Sequence, residues 1–257
     1  MSAEPRGVST VRIVGIGSGH PDQLTVEAVD ALRSADFAIA ARKRDDDPLL
    51  ALRQEIIDRH APGLEIVEVD DPDRDRSAEA TASKDGYEAA VSDWHDARAA
   101  RYEEVLGSRR GQAAMLVWGD PAFYDSTIRI VERILDRGNL VFAWDVVPGI
   151  SALQLLAARH RIVLHEIGQP ILVTTGRRLR EAIDAGAENV LVMLSAAVDL
   201  TGLDDWHIWW GANLGTDVEY LITGRVAEAA AGITAARERV KAECGWVMDT
   251  YLLRRPD

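Results

Sequence analysis

Ala113-Ala114-Met115-Leu116-Val117-Trp118-Gly119-Asp120-Pro121-Ala122-Phe123-Tyr124-Asp125 decides the fold. Its first six residues form an apolar run closed by a turn, the pattern of a strand buried on both faces of a parallel sheet. Gly119-Asp120-Pro121 then turns the chain and presents an acid, two aromatics and a second acid before helical spacing resumes at Thr127. Taken alone, Gly-Asp-Pro reads as a plain turn. In an open α/β sheet, however, ligands bind at the loops that leave the carboxyl ends of the strands. Two more loops join a strand to a helix in the same manner. They are Val14-Gly15-Ile16-Gly17-Ser18-Gly19-His20-Pro21-Asp22-Gln23-Leu24-Thr25 and Val147-Pro148-Gly149-Ile150-Ser151-Ala152.

Outward from these loops, Val11–Ile16, Phe37–Ala41, Leu64–Val69 and Leu140–Trp144 read as further strands. Thr25 can cap a helix whose apolar face is Ala28, Val29, Leu32 and Ala35. The charged turn Asp45-Asp46-Asp47 leads into Pro48, which is suited to open a helix through Arg59. Asp70 to Asp85 reads as a surface loop. Tyr87 to Leu106 is a long helix with a core-facing stripe of Tyr87, Ala90, Val91, Trp94, Ala97 and the stem of Arg101. Ile128 to Leu135 and Ser151 to His160 are helical. This βαβ alternation predicts an α/β domain over residues 1–160 with a mainly parallel sheet. A linker over 161–170 then leads to a second α/β domain, 171–257. Its strands are Ile171–Thr174, Asn189–Leu194, Ile208–Gly211, Glu219–Ile222 and Trp246–Leu253, and its clear helices are Leu179–Ala185 and Ala227–Glu243. That pattern predicts a mixed sheet.

The 257 residues, 47% hydrophobic and 28% charged, suit a globular enzyme of one large or two modest domains. A net charge of −13 argues against a nucleic-acid partner. The single cysteine, Cys244, allows no internal disulfide, which fits a reducing compartment. The six histidines show no metal-ligand spacing, so no metal is implied. The polar Met1–Thr10 lacks the apolar core of a signal peptide, and no apolar run approaches a bilayer-spanning length. The expectation is a cytoplasmic protein with no membrane partner.

Gly15-Ile16-Gly17-Ser18-Gly19-His20 also invites a dinucleotide reading, but His20 stands where the fingerprint wants a third glycine. Arg42-Lys43-Arg44 stand where an acid would hold a ribose, and a basic cluster there suits the 2′-phosphate of NADP. An NADP-dependent reductase is therefore one alternative, and a non-catalytic adenosyl-ligand sensor is another. Further basic clusters are Arg109-Arg110, Arg159-His160-Arg161 and Arg177-Arg178-Leu179-Arg180. Such runs are usually solvated faces.

The three loops, in this order and at these distances, resemble the tetrapyrrole methylase family. Gly119 to Thr127, Ala157-Ala158-Arg159-His160-Arg161 and Thr174-Thr175-Gly176-Arg177-Arg178-Leu179 look like one branch of it, and the likeness runs from about Val11 to the C-terminus. The resemblance implies S-adenosylmethionine as cofactor and two α/β domains with the active site in the cleft between them. It also implies methyl transfer to C-1 of precorrin-5 with the ring's acetyl group lost as acetate. Methylation at another position of a related tetrapyrrole is the near alternative. By the same resemblance Gly17, the backbone of Trp118, Gly119 and Asp120, the Phe123 side chain, Ser151, Ala152, Met193 and Leu214 hold the cofactor. Ser151 also reads as an ordinary helix cap and Met193 as ordinary core. Family substrates carry many carboxylates, and arginine grips carboxylates bidentately. Arg159, Arg161, Arg177 and Arg178 are therefore expected at the substrate, whereas Arg109 and Arg110 close a surface turn. Deacetylation needs a proton acceptor. Asp120 and Tyr124 rank first for that role, ahead of Asp125 and the Trp94-His95-Asp96 run. Relatives imply a homodimer.

Overall fold

The computed structural model divides into two compact units, Met1–Ile150 and Ser151–Asp257. It describes residues 7–42, 47–73, 77 and 84–256, and of Lys84 and Tyr87 the backbone. Lys43 and Arg44 of the first basic cluster, Asp45 and Asp46 of the charged turn, and most of 74–83 in the expected surface loop lie outside the described residues.

In the first unit β1 (Thr10–Gly15), β2 (Phe37–Arg42), β3 (Ile66–Asp70), β4 (Gln112–Val117) and β5 (Ala143–Val147) form a parallel sheet in the order β3-β2-β4-β1-β5. Alternate residues of its central strands feed two cores. Val11, Ile13, Ala113, Met115 and Val117 pack with Ala99, Tyr102 and Leu106 of α3 (Lys84–Ser108) and Ile130, Val131 and Ile134 of α4 (Thr127–Asp136). Val14, Ala114 and Leu116 pack with Ala28 and Leu32 of α1 (Val26–Ser34) and Ile56 and Ile57 of α2 (Pro48–His60). Burial from both faces explains why β1 and β4 read as nearly unbroken apolar runs. The expected Thr25 cap forms, its Oγ1 accepting from Ala28 N at 3.0 Å. Pro48 opens its helix as expected, and Asp47 adds a cap that the sequence reading did not name, its Oδ1 accepting from Leu49 N at 3.0 Å.

The strand order also places the ligand-binding edge. From β1 the chain crosses to β2 on one side, and from β4 it crosses to β5 on the other. Since β1 and β4 are neighbours, the topology switches between them, and that is where α/β sheets bind ligands.

Two local expectations are corrected. The buried line of α3 runs through His95, Ala99, Tyr102 and Leu106, whereas Ala97 of the expected stripe is exposed. The helix is rotated because its neighbour α4 draws polar groups to its flank: Arg133 bonds Asp96 and Ser92, and Arg137 bonds Glu103 at 2.9 Å. The fifth strand begins at Ala143 rather than Leu140. Leu140 and Phe142 lie in the core ahead of it, and pairing starts where Ala143 N donates to Ser9 O at 3.0 Å.

In the second unit β6 (Leu172–Thr175), β7 (Asn189–Met193), β8 (His207–Ala212), β9 (Tyr220–Arg225) and β10 (Asp249–Arg254) form the expected mixed sheet. Its order is β6-β7-β10-β8-β9, with only β6 and β7 parallel. One face carries α6 (Leu179–Asp184) and α7 (Val226–Cys244). The other carries α5 (Ala152–His160), whose Leu153, Leu155 and Leu156 pack with Leu191, Leu214 and Leu252. The helix expected to close the first domain therefore belongs to the core of the second unit. Residues 161–170 are tied down there too: Asn189 Nδ2 donates to Leu164 O at 2.9 Å, and Arg254 bonds Glu166 at 2.6 Å and Val163 O at 3.1 Å.

Candidate active site

The three glycine loops of the first unit converge at the carboxyl end of β1, β4 and β5. Gly17 and Gly119 form an antiparallel bridge, with Gly17 N donating to Gly119 O at 3.2 Å and Gly119 N to Gly17 O at 2.7 Å. Both have positive φ, +73° and +70°, which glycine alone adopts without strain. The approach leaves no room for side chains. A Cβ on Gly149 would lie 2.1 Å from Gly119 O, and one on Gly15 would lie 2.6 Å from Gly149 N. Beside this junction two polar atoms, Ser18 Oγ and Gln23 Oε1, are buried without a hydrogen-bond partner among the described residues. Such orphans are expensive unless something fills them.

Asp120 holds the junction together. Its Oδ2 accepts from Gly149 N at 2.9 Å, and its Oδ1 accepts from Ala122 N at 2.8 Å within the turn. Next to it Phe123 and Tyr124 are exposed, 36% and 45% respectively. Tyr124 has φ +53°, a region costly for a bulky side chain. Asp125 Oδ1 accepts from Thr127 N at 2.6 Å and so caps α4. His95 is buried against the Trp94 ring, with centroids 5.2 Å apart.

The second unit gathers Ser151, Met193 and Leu214 around α5. Ser151 is the buried N-cap, its N–H donating to Gln154 Oε1 at 2.7 Å. The cap and the helix N-terminus are thus both real, and the N–H groups from Ala152 onward begin the helix. Met193 packs, partly buried, in the same apolar cluster as buried Leu214. Their neighbours Leu194 and Asn213 have φ +53° and +48°. The chain therefore turns left-handed directly after β7 and β8, at a strain cost for Leu194, and such strain concentrates at functional sites.

The four arginines expected at the substrate differ in their partners and exposure. Arg159 Nε bonds both oxygens of Glu219, at 2.8 and 3.1 Å. Arg178 pairs with Glu181 at 2.7 Å, an exposed contact one helical turn away. Arg161 is exposed at the left-handed C-cap of α5 with φ +56°, and Arg177 is exposed in the turn before α6. Arg109 pairs with Glu65 at 2.7 Å on the surface, as expected of a turn. Arg42 bonds Asp70 at 2.6 Å and Glu68 at 3.1 Å, so its guanidinium is not held ready for a 2′-phosphate.

Two arginines missed in the sequence are better shielded. Arg98 is nearly buried against Asp71 at 2.8 Å, donates to Ser126 Oγ at 2.8 Å, and stacks 4.6 Å from the Trp94 ring centroid. Arg53 lies 5.9 Å from the centroid of Trp118, the residue that opens the Gly119 loop. Its Nε is fully shielded, and Arg53 makes no hydrogen bond or ion pair among the described residues. Burial pushes its pKa down; Arg98 adds to the push, and Tyr102, Asp47 and Asp125 oppose it. Helical phase was the available signal: Arg53, Ile56, Ile57 and His60 share one face of α2.

With this fold and site, the chain belongs to the Tetrapyrrole (Corrin/Porphyrin) Methylases, whose family model matches residues 10–230. Within that family it is 42% identical over 255 residues to a Sinorhizobium protein named precorrin-6A synthase [deacetylating], spanning 97% of this chain and 96% of the relative. The crystal structure of a cobalamin synthesis related protein, CobF, from Corynebacterium diphtheriae superposes with a TM-score of 0.81 at 38% identity, over 98% of this chain and all of the other. A cobalt precorrin-4 methyltransferase shares the fold at 15% identity, with a TM-score of 0.61 over 96% of this chain and 94% of its own. Among the described residues no helix is long and apolar enough to cross a membrane.

Proposed function

We propose that this chain is a precorrin-6A synthase. It transfers the methyl group of S-adenosylmethionine to C-1 of precorrin-5 and releases the ring's acetyl group as acetate, with one water consumed. The end-to-end likeness to the deacetylating synthase carries this reading. The glycine junction supports the cofactor: backbone without side chains lies beside two unsatisfied buried polar atoms, Ser18 Oγ and Gln23 Oε1. In the first unit Gly17, Gly119, Asp120 and Phe123 are the residues that would hold it. In the second, Ser151, Ala152, Met193 and Leu214 are, with the start of α5 offering N–H groups suited to a carboxylate.

S-adenosylmethionine supplies a methyl already activated by its sulfonium, so the protein's task in that step is alignment and exclusion of water. Positioning of this kind is worth roughly 7–11 kcal/mol of barrier. Asp120 serves it through the loops, because each of its oxygens already holds a backbone N–H. In deacetylation water must attack a carbonyl, and a hydroxyl donor beside the developing oxyanion lowers that barrier. Tyr124, exposed on strained backbone in the same loop, is our candidate for that donor. Arg161 and Arg177, exposed in the second unit, are kept as candidate contacts to substrate carboxylates, with Arg159 and Arg178 lending charge from within ion pairs. A cytoplasmic setting and a homodimer complete the reading, and sedimentation of the purified protein tests the latter. The decisive experiment is mass spectrometry of the products formed from precorrin-5 and S-adenosylmethionine. An added methyl together with free acetate is expected; a methylated ring that keeps its acetyl group would refute the assignment.

A further inference from the structure

Arg53 stands apart from Arg42 and Arg98 at the ligand edge of the first sheet. Arg42 and Arg98 each reach a carboxylate within 4 Å, whereas Arg53 reaches none among the described residues, although its Nε is shut away from water. Arg53 is partly buried, and a shielded Nε–H without an acceptor is costly; replacing the side chain by an apolar one of similar length should therefore cost the ligand-free fold little. Its position is not arbitrary. It stands over Trp118, whose next residue, Gly119, forms the bridge to Gly17. Burial lowers its pKa, as expected of a charge kept without a contact partner. Arg98 beside it is fixed by Asp71 and Ser126, so that neighbouring guanidinium is already engaged.

We propose that Arg53 is the receptor for one carboxylate of the substrate's ring periphery, an anion that supplies the ion pair Arg53 lacks among the described residues. This inference rests on the tetrapyrrole reading given above and names a contact that the visible arginine doublets do not supply. Guanidinium and carboxylate would meet as a two-pronged pair, which a lysine cannot reproduce. The flat face of Trp118 keeps the planar fork oriented from one side.

The test uses uroporphyrin III, a stable tetrapyrrole with carboxylate side chains, its methyl ester as the uncharged control, and S-adenosylhomocysteine. Arg53→Met should bind the porphyrin about ten- to hundred-fold more weakly than the wild type, with Arg53→Lys in between. Affinity for S-adenosylhomocysteine should be unchanged, and the ester should not distinguish the variants. Thermal unfolding of the ligand-free Arg53→Met protein separates the proposal from a structural role: the variant should be as stable as the wild type or more so. A clearly lowered melting temperature, or equal porphyrin affinity in wild type and Arg53→Met, would overturn the assignment of Arg53 alone. If the wild type itself ignores the porphyrin, the tetrapyrrole reading fails and this inference falls with it.

Discussion

Replacing Asp120 by alanine separates a group that builds the site from one that performs its chemistry. The carboxylate bonds Gly149 N at 2.9 Å and Ala122 N at 2.8 Å, and these two donors differ in setting. Gly149 is buried, and a Cβ there would touch Gly119 O and Gly15, so water cannot readily replace the lost acceptor. A charge-assisted bond to a shielded N–H contributes about 1.5–3 kcal/mol. Ala122 is exposed and can turn to solvent, adding about 0.5–1 kcal/mol more. The sum, about 2–4 kcal/mol, corresponds to a fall in melting temperature of roughly 5–15 °C at this chain length. Circular dichroism measures the fall, and titration calorimetry with S-adenosylhomocysteine should show weaker binding because the Gly119 and Gly149 loops come apart. Asp120→Asn, which keeps one acceptor oxygen, should fall between. A melting temperature within about 2 °C of wild type, with turnover abolished, would refute the reasoning and restore Asp120 as the proton acceptor.

Gly149→Ala places a methyl 2.1 Å from Gly119 O and should lose about 1–3 kcal/mol or more by overpacking. Gly232→Ala in α7, where the nearest atom is 3.6 Å away, should instead gain about 0.5–1 kcal/mol in denaturant titration. Arg237 and Asp249 form a buried pair that also takes the Trp210 indole N–H at 3.0 Å, so Arg237→Met should lower stability by about 3–5 kcal/mol; a midpoint in urea close to wild type would argue against it. Burial holds His160 and His207 below their ordinary pKa, so the unfolded chain takes up these protons first as pH falls. Stability should be full above about pH 6.5 and decline below it. His160→Gln, which can keep a donor toward Trp210 O, should flatten that decline in melting curves taken across the range.

The alternation of strands and helices was legible because burial on two faces writes long apolar runs, as in Ala113 to Val117. The loops were legible because their close contacts demand glycine at Gly15, Gly17, Gly119 and Gly149. Left-handed turns at Tyr124 and Leu194 were not, since their residue types carry no mark of the conformation, whereas Asn213 is of a type that favours it. The register of an edge strand was also hidden. β5 has only Val147 fully buried, so its apolar residues fix its start less firmly than those of β4. The phase of α3 depended on ion pairs with α4 that no pattern within the helix announces.

Charge was the harder signal, and the reason lies in the protein's acidity. With a net charge of −13, most surface arginines find an acid of the same chain: Arg109 takes Glu65, Arg159 takes Glu219 and Arg178 takes Glu181. A doublet in the sequence therefore marks a place where positive charge is abundant, not one where it is available to a ligand. Availability needs the opposite arrangement, in which the guanidinium is partly shielded and bonds no carboxylate of its own chain. A buried helix face provides this, because side chains on it are fixed by packing rather than by the nearest acid. Arg53, set on the line of Ile56 and Ile57 at the turn next to Trp118, meets that condition. In an acidic enzyme for an anionic substrate, the arginine to look for is the isolated one on an apolar helical stripe.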